Sequence, residues 1–177
     1  IVRIIHKIYN LDEKNNLIPF LTSIGADVPF CYYGKSAIVT GIGENLNFKK
    51  HNLENFFVLL INPLQQLSTK NIFEKIDLQK KSTLSNNFAS LKINIESLKG
   101  KSNHLEKIAK KELPVISNIL DFLKLQTQSL FVRMTGSGAT CFSIYQNSKD
   151  LKNAEILAKT TFPKYWIKST KLVNSIN

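Results

Sequence analysis

The sequence predicts an α+β fold whose larger, C-terminal part is a ferredoxin-like α/β sandwich. From Phe56 onward the apolar patterns follow the order strand, helices, strand, strand, helix, strand, which is the split β-α-β arrangement. The chain has 177 residues, of which 43% are hydrophobic and 21% charged, with 7 Gly and 5 Pro. This composition excludes a disordered or low-complexity chain and suffices for a buried core.

The first part of the chain predicts helices followed by a strand. Apolar residues at helical spacing indicate a helix over residues 1–8, which starts without an N-cap or an acidic first turn. The apolar positions of residues 12–23 predict a second helix that runs into Gly25. Residues 36–40 have the pattern of a strand and lead into a turn at 41–44.

A polar segment at residues 49–55 is the predicted domain boundary, which gives domains of residues 1–52 and 53–177. The elements predicted beyond it are, in chain order, a buried strand at 56–61, a helix capped by Ser68 and ending at Ile76, a loop with a short helix at 80–101, helices at 104–111 and 114–125, strands at 130–134 and 140–145, a helix at 149–160 and a strand at 165–172.

The charge balance of 24 basic against 13 acidic residues gives a net charge of +11. Such a balance suggests a nucleic-acid partner. However, Arg3 and Arg133 are the only arginines in the sequence, and bidentate readers of phosphates and base edges are usually arginines. A specific nucleic-acid partner is therefore disfavoured, although a basic nucleic-acid-binding domain remains an alternative.

The cysteines and histidines predict neither a disulfide nor a metal site. Cys31 and Cys141 lie in apolar stretches far apart in sequence, so we expect two buried thiols. His6, His51 and His104 lack metal-ligand spacing. No apolar run approaches the roughly 18 residues of a membrane span and no secretory leader opens the sequence, which predicts a cytoplasmic protein without a membrane partner.

One acidic residue stands out as a candidate catalytic group. Asp27 is the only charged residue between Ile24 and Gly34, and it is surrounded by apolar and aromatic residues. We expect its carboxylate to be buried, and a buried carboxylate must be paired, hydrogen-bonded or used in chemistry. It either caps a turn or accepts the proton of an attacking hydroxyl.

The segment Thr135-Gly136-Ser137-Gly138-Ala139-Thr140 lies between two predicted strands. Glycines on both sides of a serine let successive backbone N–H groups approach an anion, although the tripeptide is also common in ordinary hairpin turns. It is not a Walker A loop, because no Gly-Lys-Ser/Thr follows. Two weaker candidates are the turn Gly41-Ile42-Gly43-Glu44, and Thr69 with Phe73, whose hydroxyl and aromatic ring could hold a nucleobase.

Together these segments resemble the GHMP small-molecule kinases. The residues that carry the resemblance are Ile24-Gly25-Ala26-Asp27-Val28-Pro29-Phe30, Gly41-Ile42-Gly43-Glu44 and Thr135-Gly136-Ser137-Gly138-Ala139-Thr140-Cys141-Phe142, which occur in the order of that family. The resemblance implies the distal part of a GHMP kinase N-terminal domain, followed by the ferredoxin-like C-terminal domain. It also implies transfer of phosphate from ATP, with Mg2+, to the 2-hydroxyl of a small cytidyl diphosphate substrate of isoprenoid biosynthesis.

The resemblance assigns roles to individual residues. Asp27 falls on the catalytic aspartate, and the turn Gly136-Ser137-Gly138 falls on a motif that supports the phosphate loop. Ile42, Thr69 and Phe73 fall on or near positions that hold the cytosine. Where the family commonly has Asn-Asp-Leu-Glu, this chain has Asn103-His104-Leu105-Glu106.

The glycine-rich ATP loop and the lysine that similar kinases place against the aspartate have no counterpart in this sequence. The resemblance places both upstream of Ile1, so we expect a missing N-terminal segment, for which a separate chain is one alternative, and a chain nearly inactive by itself. A degenerate remnant that binds without catalysing is the alternative.

Overall fold

A computed structural model describes residues 2–8, 17–48, 53, 55–76 and 94–173. The described residues form two compact units, one that contains the residues up to Phe48 together with Val173 and one that extends from Leu53 to Leu172. The assignment of residues 1–52 and 53–177 to the two domains of a kinase stays a prediction.

The first unit contains helices α1 (Val2–Ile8), α2 (Ile18–Ile24) and α3 (Val28–Tyr33), and strands β1 (Ala37–Thr40) and β2 (Asn45–Phe48). A proline in the first turn of α2 and of α3 suits the start of a helix, where its missing N–H costs no hydrogen bond. Helix α3 is capped by Gly34, whose left-handed backbone (φ 59°) glycine adopts without a steric penalty. Strands β1 and β2 form an antiparallel hairpin.

Two elements of this unit were not predicted from the sequence. Helix α3 is six residues long, too short for a helical period to emerge from Val-Pro-Phe-Cys-Tyr-Tyr. Strand β2 reads Asn-Leu-Asn-Phe, and asparagine is rare in strands.

The second unit is built on a four-stranded antiparallel sheet. Its elements are β3 (Phe57–Asn62), α4 (Thr69–Glu74), α5 (Ile95–Lys99), α6 (Glu106–Glu112), α7 (Val115–Leu125), β4 (Phe131–Met134), β5 (Cys141–Tyr145), α8 (Ser148–Thr161) and β6 (Trp166–Lys171). The strand order is β4-β5-β3-β6, with every neighbouring pair antiparallel. Numbered within this unit the order is 2-3-1-4, which confirms the predicted ferredoxin-like sandwich and the α+β class.

The sheet buries apolar residues on both faces, as the continuous apolar run of β3 predicts. Leu59 and Ile61 face a core that also contains apolar residues of α7 and α8, whereas Val58 belongs to a second cluster with Ile95 of α5. The buried residues of α7 follow helical spacing and are Ile116, Ile119, Leu120 and Leu123. Both central strands are thereby covered on each side.

The predicted helix ends differ slightly from those observed. The side chain of Ser68 accepts a hydrogen bond from the N–H of Asn71 at 3.2 Å, which confirms it as the N-cap of α4. Helix α4 ends at Glu74, two residues before the predicted Ile76. Of the predicted stretch 80–101, residues 80–93 lie outside the described part, and the short helix is α5.

The two cysteines differ in exposure. Cys141 is fully buried in β5, as expected, but Cys31 is exposed on α3, so the prediction of a buried thiol there is wrong. In α3 it is Pro29 that is buried, while Phe30 and Cys31 face outward. Among the described residues, no helix is both long and apolar enough to cross a bilayer.

We predict that a thiol reagent at pH 8 modifies Cys31 and not Cys141 in the folded chain. Burial, followed by the nearby Glu106 charge, raises the pKa of Cys141 to about 12, so its reactive thiolate is scarce at that pH. Titration with a chromogenic disulfide should therefore count one thiol in the native chain and two in denaturant. Cys31→Ser should leave none in the native chain, and equal labelling rates of both cysteines would contradict this prediction.

Candidate functional site

The turn between β4 and β5 is the centre of the candidate site. Its ends are joined by the N–H of Thr135, which donates to the carbonyl of Thr140 at 2.9 Å, and the N–H of Gly138 donates to the carbonyl of Thr135 at 3.0 Å. Gly136 and Gly138 have φ values of 54° and 95°, which side chains disfavour. A Cβ atom at Gly138 would lie 2.9 Å from Met134 Sδ, so this position is also crowded. We call residues 135–140 the glycine turn.

Side chains from three other parts of the second unit hold the glycine turn in place. At its C-terminal end, the amide of Asn62, the last residue of β3, donates to Thr140 Oγ1 at 2.8 Å. At its tip, the hydroxyl of Ser137 is 2.9 Å from the hydroxyl of Thr69, the first residue of α4. The structure thus brings together Thr69 and Ser137, which are 68 residues apart in sequence.

The third contact comes from Asn103, just before α6. Its Nδ2 donates to the carbonyls of Met134 at 2.9 Å and Gly136 at 2.8 Å, while its Oδ1 accepts the N–H of Leu105 at 3.0 Å. Every hydrogen-bonding atom of this side chain is therefore engaged. The sequence offered only a weak signal for this role. Asn103 lies just before a predicted helix, and asparagine at such a position often accepts the N–H two residues further on in an Asx turn.

Glu106 reinforces the same region. Its carboxylate accepts the N–H of Met134 at 3.4 Å and forms an ion pair with Lys110 at 2.9 Å, one turn further along α6. Met134 is a position of β4 whose N–H and C=O point away from β5, and because β4 is the edge strand these groups are taken up by Glu106 and Asn103. His104, where the resemblance predicts an acidic residue, is exposed.

The two predicted substrate residues of α4 lie one helical turn apart. Thr69 and Phe73 are both exposed, and 54% of Phe73 is accessible to solvent, so its ring is open to a ligand. Ile72 anchors the helix in the core between them. A groove of about 530 Å3 runs along the Ser68 and Asn71 side of the same helix.

Asp27 is exposed, so the prediction that its carboxylate is buried is wrong. It occupies the N-cap position of α3, yet its side chain makes no capping hydrogen bond, which also removes the structural role considered from the sequence. Its carboxylate has no hydrogen bond or ion pair within the part of the chain that the structure describes. It is therefore free to interact with a bound molecule.

The turn at residues 41–44 packs directly against the segment that precedes Asp27. A Cβ atom built on Gly43 would overlap the backbone of Ala26, and Gly43 is buried with φ 107°. Glu44 accepts the N–H of Ile42 at 2.7 Å and so closes the turn. Ile42 itself is 73% exposed.

The structure thus groups the predicted site residues into two sets. Asp27 and Ile42 lie on adjoining segments of the first unit, whereas Thr69, Phe73 and the glycine turn lie in the second. The resemblance assigns Asp27 and the glycine turn to one kinase site, and because they belong to different units this assignment stays a prediction. Among the described residues, no group of three or more His, Cys, Asp or Glu side chains could hold a metal ion.

Comparison with known proteins identifies relatives along nearly the whole chain. Residues 76–158 match the family described as GHMP kinases C terminal. The chain is 31% identical over 174 residues to a 4-diphosphocytidyl-2-C-methyl-D-erythritol kinase of Wolbachia pipientis wMel, covering 98% of this chain and 60% of the relative. It is 30% identical over 184 residues to the kinase of the same name from Bartonella tribocorum, covering 99% of this chain and 61% of the relative.

Two solved structures have the same fold. A crystal structure of 4-(cytidine 5'-diphospho)-2C-methyl-D-erythritol kinase matches with a TM-score of 0.66 at 18% identity, over 96% of this chain and 62% of that one. A homoserine kinase from Cytophaga hutchinsonii matches with a TM-score of 0.69 at 20% identity, over 97% and 62%. The predicted resemblance to the GHMP kinases is confirmed. The chain spans about 60% of the length of the curated relatives it matches.

We predict that Gly43→Ala destabilises the first unit by about 2–4 kcal/mol, because a methyl group must displace the Ala26 backbone and also adopt a strained φ. Gly100→Ala is the matched control. A Cβ atom built on Gly100 would have its nearest neighbour 4.0 Å away, and the φ of this residue is −74°. Thermal unfolding followed by circular dichroism measures both. An equal, small effect of the two substitutions would contradict the close packing at Gly43.

We predict that Asn103→Ala lowers the free energy of unfolding by about 1–3 kcal/mol, because two carbonyls at the glycine turn lose their donor. Asn118→Ala is the control, since Asn118 is exposed on α7 and alanine favours a helix. Urea unfolding of both variants tests the difference. If Asn103→Ala were as stable as the control, the turn would not depend on this side chain.

Proposed function

We propose that this chain forms part of an ATP-dependent kinase that phosphorylates the 2-hydroxyl of 4-diphosphocytidyl-2-C-methyl-D-erythritol in non-mevalonate isoprenoid biosynthesis. The observation that carries the proposal is the glycine turn, held by Asn62, Thr69 and Asn103 in the second unit. The names of relatives that align with 98–99% of the chain support the choice of substrate.

A rigid turn of this kind suits phosphoryl transfer, which needs placement and charge neutralisation more than covalent help from the protein. Gly136 allows the backbone to approach a phosphate closely, because nothing lies within 4 Å of a Cβ atom built on it. We propose that Gly136, Ser137 and Gly138 support the phosphate-binding part of the active site.

Asp27 supplies the acid–base group in this proposal. Its exposed carboxylate, which has no partner among the described residues, can accept the proton of the substrate 2-hydroxyl as that oxygen attacks phosphorus. Ile42, Thr69 and Phe73 hold the cytosine, with the exposed ring of Phe73 as the stacking surface.

ATP and Mg2+ complete the reaction, with ATP as the phosphoryl donor. The glycine turn fits a phosphate-bearing nucleotide at Gly136, which has a positive φ and nothing within 4 Å of a Cβ atom built on it. Mg2+ would bridge the nucleotide phosphates, with at most one or two protein carboxylates as further ligands. We expect little turnover from these 177 residues alone, since the glycine-rich loop of similar kinases has no counterpart in them.

Calorimetry with 4-diphosphocytidyl-2-C-methyl-D-erythritol tests the substrate site. Phe73→Ala should weaken binding at least about 5-fold, because it removes the stacking ring. Phe20→Ala is the control, since Phe20 is similarly exposed at 57% compared with 54% for Phe73. Absence of binding contradicts the proposal. Binding without turnover, even when the chain is expressed from its complete reading frame, favours a degenerate, non-catalytic binding module.

We predict that Asp27→Asn, in a preparation with measurable turnover, reduces turnover by about 10²–10⁴-fold while stability is unchanged. Stability should persist because the side chain makes no capping hydrogen bond and asparagine has the same shape. Coupled detection of ADP measures turnover, and circular dichroism measures stability. Near-normal turnover of a folded variant would rule out Asp27 as the catalytic base.

A further inference from the structure

We propose that a groove on the outer edge of β4 binds a small polyanion, such as a molecule bearing a pyrophosphate group. The groove has a volume of about 360 Å3, which is within the range of small-molecule sites. Its lining includes three basic side chains, Lys99, Lys124 and Arg133, and no acidic one. This site is separate from the residues assigned to the kinase reaction.

Arg133 is the central residue of the proposed site. Its guanidinium lies over the ring of Phe131, 4.7 Å from the ring centre, because residues two apart on a strand share a face. It forms no ion pair with a carboxylate among the described residues. A stacked guanidinium keeps its N–H donors free at its edges and is preorganised for bidentate binding of phosphate oxygens.

The two lysines extend the basic surface to both sides of the strand. Lys99 is the last residue of α5 and Lys124 lies in the last turn of α7. Each is paired with a carboxylate three residues earlier, Lys99 with Glu96 at 2.9 Å and Lys124 with Asp121 at 3.3 Å. Such exposed pairs contribute little energy, so a multivalent anion can compete for both lysines. Neither carboxylate lines the groove.

The edge of β4 adds backbone groups to the groove. Strand β4 pairs only with β5 in the sheet, and Met134 directs its N–H and C=O to the outer edge. Peptide groups alternate in direction along an antiparallel strand, so those of Val132 point to the same edge. Val132 lines the groove, and its N–H is a further donor for an anion.

The size of the groove favours a small ligand over a nucleic acid. A nucleic acid needs a basic stripe that follows many phosphates, whereas these three cations border one cavity beside a strand of four residues. The overall charge of +11 attracts any anion, but a specific site must depend on the residues that line it.

Calorimetric titration of the chain with inorganic pyrophosphate tests the proposal. We expect saturable binding that Arg133→Gln weakens about 10- to 100-fold, as expected for the loss of charge-assisted hydrogen bonds. Arg133→Lys should give an intermediate affinity, because it keeps the charge but loses the planar fork. Lys152→Gln is the control, since it removes one positive charge from α8, which does not line the groove. Circular dichroism establishes that each variant is folded.

Competing explanations give different results. Ser137→Ala affects pyrophosphate binding only if the anion sits at the glycine turn, so weakening by Ser137→Ala and not by Arg133→Gln overturns the proposal. Equal affinities of Arg133→Gln and Lys152→Gln, or no binding of pyrophosphate, also overturn it. Binding of a single-stranded oligonucleotide that depends on Arg133, without binding of pyrophosphate, would assign the surface to nucleic acid instead. If addition of pyrophosphate changes amide chemical shifts only at residues 129–133, the result would support binding in the groove.

Discussion

The arrangement of the candidate site depends on one side-chain amide, that of Asn103. A chain that must turn sharply between β4 and β5 leaves carbonyl groups that neither strand can satisfy, and this amide donates to two of them at 2.9 and 2.8 Å. Because its oxygen is engaged by the N–H of Leu105, the side chain cannot rotate without losing all three bonds. The start of α6 and the glycine turn are therefore fixed to each other.

The sheet supplies the rigid base for this contact. Strand β3 is central and buried on both faces, and its last residue, Asn62, reaches the far end of the glycine turn at Thr140. Apolar burial thus determines where the strands end, and polar side chains at those ends determine the conformation of the turn. Because the sheet brings the strand ends together, residues distant in sequence meet at the turn, and their hydrogen bonds hold them in place.

The sequence allowed the sandwich to be predicted because its long elements have clear periods. Helix α7 repeats buried residues at helical spacing, and β3 is a continuous apolar run. Short elements such as α3 and β2 could not be predicted, because six or four residues contain no full pattern. The burial of Asp27 was wrongly inferred since apolar neighbours in sequence, such as Phe30, can themselves face solvent on a short helix. The Asn103 contacts required a tertiary arrangement that no local pattern contains.

The hydroxyl contact between Thr69 and Ser137 has a consequence for communication within the second unit. A molecule that accepts the hydroxyl hydrogen donated in this bond of 2.9 Å must compete with it, and so alters how firmly α4 is attached to the tip between β4 and β5. By thermodynamic linkage, the coupling is reciprocal. If a molecule bound at the tip changes the free energy of binding at the helix, a molecule bound at the helix changes the free energy of binding at the tip by the same amount. Two hydroxyl groups are enough to make each end sensitive to the other.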